Sequence, residues 1–297
     1  MVEPLLEDAP VLVDADRILA LRTFLGLEDL AISEAVQLLG MMTERRVPAG
    51  TVLAKRGASV PAAWFVLEGE LRIGHAGGER RVGAHEIAGI LELLGDTPDG
   101  LDVVTATDVV ALEVGRDDLV AQLAVDFEMV RGVLQQLSAN LLMVAPDIDR
   151  TEPLVPAPAP GKPLDFAMRL RFARGLGSFP PSAIATLADV AEAFEEETAE
   201  GTVLPAGATV DRIWIVVEGE LHAGEARFVP GSMFGRLPAI AEAALAHDVV
   251  AAPGTRLLGL PMATVLDLYE DDATGALFAI RVLAAHLADH QDAFPRR

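Results

Sequence analysis

Apolar positions along this chain fall into helical and β registers, and the same succession occurs twice. Helical spacing comes first, at about 14–25 and 28–42, and again at about 164–175 and 181–194. Short β-rich runs separated by glycine follow. In the first half they are Val52–Ala54, Trp64–Glu68, Leu71–Ile73, Asp102–Ala106 and Val109–Val114. In the second they are Val203–Leu204, Ile213–Glu218, Phe228–Val229, Asp248–Ala252 and Arg256–Leu260. A long helical pattern closes each half, at about 117–144 and 262–290. The order predicts a mainly β, α+β fold. It has two tandem jelly-roll-like β-rolls, each flanked by N-terminal helices and a long C-terminal helix.

The halves are copies. GASVPAAWFVLEGEL at 57–71 recurs as GATVDRIWIVVEGEL at 207–221, an offset of 150. Gly50-Thr-Val-Leu recurs as Gly201-Thr-Val-Leu, and Asp102-Val-Val as Asp248-Val-Val. Both tryptophans, Trp64 and Trp214, occupy equivalent places. Between the copies lies TEPLVPAPAPGKP, whose prolines favour extended backbone. The boundaries read as domain 14–147, a Pro-rich linker 148–163, and domain 164–292.

The first closing helix carries a seam. Leu123, Phe127, Val130, Leu134, Leu137 and Leu141 follow one another at spacings of 4, 3, 4, 3 and 4. Ala276, Ile280, Leu283 and Leu287 form a weaker counterpart. Such a stripe suits a helix interface, in a homodimer or in an intramolecular pseudo-dimer of the two halves. It equally suits packing on its own barrel.

Charge narrows the function. With 23 Lys+Arg against 45 Asp+Glu the net charge is −22. Residues 1–150 hold 12 basic and 25 acidic groups, and the rest 11 and 20, so neither half is a hidden basic module. Such a surface repels nucleic acid and anionic lipid. Cysteine is absent, which removes disulfides, thiolate metal sites and cysteine nucleophiles and fits a reducing cytoplasm. From the acidic start no secretory signal is expected, and no apolar run reaches membrane length. High Ala, Gly and Val usage points to a GC-rich bacterial genome.

Catalytic chemistry finds no foothold. There is no G-x-S-x-G elbow, dinucleotide fingerprint or Walker-type Gly-Lys-Ser/Thr, so no enzyme is expected. His286 and His290, four apart on the last helix, share a face, but no third ligand is indicated and no metal is expected. His247 beside Asp248 is a candidate pH sensor or a bland loop residue. Glu195-Glu-Glu reads as a solvated strand start or helix end.

The order helix, β-roll, short helix, last strands, long helix resembles the cyclic-nucleotide-binding domain of catabolite-activator-type regulators, protein kinase A regulatory subunits and gated channels. Its carriers are Gly50, Gly57, Gly69, Gly83 and Gly89, then Gly201, Gly207, Gly219, Gly231 and Gly235. The hairpin Trp64-Phe-Val-Leu-Glu-Gly-Glu-Leu-Arg-Ile-Gly is similar to the family's own. The resemblance implies a phosphate cassette of the form F-G-E-L-A-L-L followed by P-R-x-A-T. There, backbone amides meet the cyclic phosphate, the Glu takes the ribose hydroxyl and the Arg pairs the phosphate.

Both cassettes depart from that form. The first reads Ala88-Gly89-Ile90-Leu91, with Ile90 at the Glu position, Asp99 at the Arg position and Asp102 at the Thr position. The second reads Phe234-Gly235-Arg236-Leu237, with Arg236 for Glu, Leu245 for Arg and Asp248 for Thr. A phosphate needs a cation, and the first cassette offers carboxylates. Arg236 is either a displaced phosphate anchor or a solvent-facing cation.

The reading is a non-enzymatic cytoplasmic regulator or adaptor working through an unidentified protein partner, with no nucleic acid and no membrane. Its cyclic AMP or GMP binding is little or none. A sensor that binds a cyclic mono- or dinucleotide in the second domain, with the nucleotide as ligand, is the first alternative. A structural part of a larger assembly is the second.

Overall fold

The computed structural model describes residues 14–24, 32–75, 78–96, 101–144, 153, 156 and 161–290. The first half runs α1 (Asp14–Leu21), α2 (Ile32–Gly40), β1 (Met42–Val47), β2 (Val52–Ala54), β3 (Ala62–Glu68), β4 (Leu71–His75), β5 (Gly78–Val82), β6 (Ile87–Ala88), α3 (Ile90–Gly95), β7 (Asp102–Thr105), β8 (Val109–Gly115) and α4 (Arg116–Leu123). The chain then continues through α5 (Phe127–Val144), α6 (Phe166–Gly175), α7 (Ile184–Ala193), β9 (Glu195–Leu204), β10 (Arg212–Glu218), β11 (Leu221–Ala223), β12 (Ala226–Phe228), β13 (Met233–Phe234), α8 (Arg236–Ile240), β14 (Val249–Pro261), α9 (Met262–Asp271) and α10 (Ala273–Asp289). The second half repeats the first element for element, with β1 and β2 fused into β9, and β7 and β8 into β14. Two units emerge, Met1–Gln122 and Leu123–Arg297.

In the first unit, two antiparallel sheets, β1-β8-β3-β6 and β2-β7-β4-β5, form the roll. Strand β3 is buried on both faces, which is why it reads as an unbroken apolar run. Ala62, Trp64 and Val66 face a core with Leu71, Ile73, Val82, Val103 and Ala111. On the opposite face Phe65 meets Phe24 edge-on at 5.3 Å. In the second unit β14 joins both faces of the roll. It pairs with β10, β11 and β9 along its length, in the order β12-β11-β14-β10-β13 with β9 on β14. The two strands expected at Asp248–Ala252 and Arg256–Leu260 are therefore one. Its register slips between Ala251 and Thr255, where Gly254 at φ 72° lets the strand bend without a break.

The closing helices also differ from expectation, for one reason in both halves. Asp126 Oδ1 accepts from the amide of Met129 (3.1 Å) and Asp272 Oδ1 from that of Thr274 (3.0 Å). Each Asp caps a fresh helix start, so each predicted long helix is two. Leu123 consequently ends α4 and does not stand on the seam helix. Within α5, Val130, Leu134, Leu137 and Leu141 are buried and Phe127 is half-buried. They pack α5 against α10, whose Ala276, Ile280, Leu283 and Leu287 are buried, and against α8. This is helix pairing within one chain, and it places α5 in the second unit. Each buried leucine contributes about 1.5–3 kcal/mol.

Most of the linker lies outside the described residues. Its end is tied to the second roll, where Gly161 N–H donates to Glu218 (2.5 Å) and Arg256 Nη1 to the Lys162 carbonyl (3.3 Å). Among the described residues no helix is long and apolar enough to cross a membrane.

The β3–β4 and β10–β11 turns need glycine. Gly69 (φ 87°) lies against the Asp108 carbonyl and Gly219 (φ 78°) against Thr255, whereas Gly50 (φ 81°) has open space around it. Gly69→Ala and Gly219→Ala combine left-handed strain of about 1–2 kcal/mol with overpacking of about 1–3 kcal/mol. Gly50→Ala carries the first cost alone. Urea denaturation of the three variants should show that ranking.

Candidate cyclic-nucleotide cassettes

Each cassette is built on a glycine laid over an indole. Gly89 (φ 80°) precedes α3 and Gly235 (φ 98°) precedes α8. A Cβ on Gly89 would stand 3.1 Å from the Ala62 carbonyl and 3.2 Å from the Trp64 ring. On Gly235 it would stand 2.8 Å from the Arg212 carbonyl and 3.4 Å from the Trp214 ring. Both glycines then start a helical turn, Leu93 N bonding the Gly89 carbonyl and Ala239 N the Gly235 carbonyl, each at 2.9 Å. The indoles are anchored from below: Trp64 Nε1 donates to Glu113 (2.9 Å) and Trp214 Nε1 to Glu197 (2.5 Å).

The first cassette helix presents Ile90 and Leu91 half-buried and carries Glu92 buried, at 5 % exposure. Asp99 lies outside the described residues. Asp102, expected to face a phosphate, does different work: its Oδ1 accepts from the backbone amide of Arg56 at 3.0 Å. Asp248 does the same for the amide of Ala206 at 2.7 Å. Both carboxylates hold the turn before Gly57 and Gly207. A groove of about 360 Å³ lies among Lys55, Arg72, Glu79 and Asp102. Arg72 and Asp102 alternate with the core-facing Ile73 and Val103, so the groove is on the roll's outer face; of the cassette stretch it takes in Asp102, and neither Gly89 nor any residue of α3 lines it.

In the second cassette every residue of α8 is buried, Leu237 completely. Arg236 is no solvent-facing cation. It is 8 % exposed, and its Nη1 donates to the carbonyl of Leu176 at 2.9 Å. Leu176 caps the C-terminal end of α6, where helix carbonyls concentrate negative charge. Around it sit Tyr269, whose hydroxyl donates to the Ser178 carbonyl (3.1 Å), and His286 on α10. Burial pushes the Tyr269 phenol up to about 12. Burial, and then the charge of Arg236, lower the pKa of His286.

The remaining candidates have structural duties. His290, capping the end of α10, contacts the His286 carbonyl through Nδ1 (2.8 Å). Among the described residues no group of three metal-binding side chains is assembled. His247 packs its ring on Gly224 in the β11–β12 turn. The Glu195–Glu197 run is paired rather than merely solvated. Glu195 meets Arg212 (3.2 Å), Glu196 meets Arg169 (2.8 Å) and Arg256 (3.3 Å), and Glu197 holds Trp214. Sequence reading missed these partners because they come from strands and helices distant in the chain.

Residues 44–126 match the family model of the cyclic nucleotide-binding domain. No curated protein matches the chain. Among solved structures, the regulatory domain of Toxoplasma gondii PKA with cAMP is 21% identical, covering 88% of this chain and 96% of its own, at TM-score 0.36. The regulatory subunit of a cAMP-independent protein kinase A from Trypanosoma brucei, a triple mutant bound to cAMP, is 15% identical over 89% and 93%, at TM-score 0.37. The N-terminal domain of a Streptomyces coelicolor transcriptional regulator is 25% identical over 43% and 95%, at TM-score 0.38.

Tyr269 is the one tyrosine of the chain, so absorbance at 295 nm reads it alone. An unfolded chain ionises its phenol near 10, and the folded one near 12. The stability from burying the neutral phenol is therefore complete below pH 10 and lost as the pH climbs to 12. Ionisation should appear as one step coincident with loss of circular dichroism. A midpoint near 10 in folded protein would contradict the burial.

Proposed function

We propose, taking residues 44–126 as a member of the cyclic nucleotide-binding domain family, that the chain is a non-enzymatic regulatory protein of two such modules. It acts through protein–protein contacts, in the cytoplasm, and binds cyclic AMP or GMP little or not at all. The observation that carries this is Arg236. It is the sole Lys or Arg in either cassette stretch, 88–102 or 234–248, and its guanidinium is buried on the Leu176 carbonyl. A cyclic phosphate is an anion, and charge-assisted pairing contributes much of its affinity. With Arg236 turned into the helical layer, neither cassette offers that pairing. What stays intact is a scaffold of glycines, indoles and closing helices, which suits recognition by surface.

Thermal-shift measurement against cyclic AMP, cyclic GMP and cyclic dinucleotides at millimolar concentration tests this. Ligand at ~100 times its dissociation constant would stabilise the fold by roughly 2.7 kcal/mol, several degrees in Tm. The expected shift is under about one degree. A clear shift would replace the adaptor reading with the sensor reading.

A further inference from the structure

Among the described residues of the second unit, Glu242 is the one non-glycine residue with positive φ, at 51°. Side chains adopt that conformation reluctantly, so the surroundings must hold it. Its carboxylate is gripped from one direction. Arg131 Nη2 and Gln135 Nε2 both donate to Oε1, each at 2.8 Å. The two donors are four residues apart, hence on one face of α5. Next to them the seam of Val130, Leu134, Leu137 and Leu141 presses α5 on α8 and α10. Beneath, all five residues of α8 are buried.

The repeat supplies an internal control. Asp96 stands at the same place after α3, at φ 49°, and there the acid pairs with Arg116 of α4 (3.0 Å). The position therefore keeps its acid and its left-handed backbone in both halves. The partner differs: it is the adjoining helix α4 in the first unit, and in the second it is α5, the helix that follows α4 in the chain. Where α5 packs on α8, every residue of α8 is buried; Ile90, Leu91 and Leu94 of α3 are half-buried.

We infer that α5 is a built-in lid on the second cassette, clasped through Glu242, and that this helix sets whether α8 stays buried. The second module then answers to displacement of α5 instead of to a small ligand.

Hydrogen exchange on the full chain, without nucleotide, tests the lid separately from the nucleotide reading. Glu242→Gly keeps the left-handed backbone accessible and deletes the clasp, and Arg131→Ala/Gln135→Ala deletes it from the other side. Both should speed exchange of amides 236–243 about tenfold, with amides 212–218 of β10 unchanged, since a tenfold change matches the loss of one or two such hydrogen bonds. The chain has no cysteine, so a short bismaleimide across Arg131→Cys/Glu242→Cys is unambiguous, and it should return exchange to the native rate or below. Unchanged rates at 236–243 in both clasp variants would overturn the inference. So would α5 amides that exchange faster while 236–243 stay protected, or a cross-linked lid with no slowing.

Discussion

A buried indole needs a great deal of apolar cover and one hydrogen-bond acceptor, and a lost acceptor costs about 1–3 kcal/mol. Trp64 and Trp214 impose that requirement on each β-roll. The ring's upper side is closed by a glycine at positive φ, where a Cβ would be tight on Gly89 and would collide with the Arg212 carbonyl on Gly235, and this fixes where the cassette turn begins. Its N–H demands a carboxylate below. In the first unit that is Glu113 on the strand opposite, in register with Trp64. In the second, Gly259 occupies the opposing position. The carboxylate comes instead from Glu197, one strand further over on β9. The space left by Gly259 is filled by Arg212, which reaches Glu195. One physical need is met by two different sets of residues.

That need explains why the scaffold is shared while the ligand chemistry is not. The glycine, the indole and the paired Asp102 and Asp248 brackets serve the roll itself. The first position of the cassette helix has no such duty. It is an isoleucine in one half and, in the other, an arginine sunk among Leu176, Tyr269 and His286. A guanidinium in that place is a structural cation: it neutralises a helix end and sits beneath a lid of packed helix.

The repeat, the two rolls, the glycines and the hairpins were legible because they are local. Glycine turns and period-two apolar runs sit close together in the chain. Strand β1 escaped, since Thr43-Glu-Arg-Arg is polar and becomes a strand only by pairing with β8. The helix breaks at Asp126 and Asp272 were hidden because the apolar spacing continues across them, and one carboxylate on one amide decides the matter. Arg236 was visible as an anomaly of the cassette. Its destination was not, because Leu176 is 60 residues away in sequence. Glu242 gave no signal at all; its meaning depends on a backbone angle and on two side chains more than a hundred residues upstream.

The position of α5 has a consequence for assembly. The helix is joined to the first roll by chain and to α8 and α10 by packing. An α5 from a second copy fits the same seat by identity of sequence. Reciprocal exchange of that helix between two copies would be the low-cost route to a dimer that shared elements open. Concentration, not new surface, would decide between the two forms.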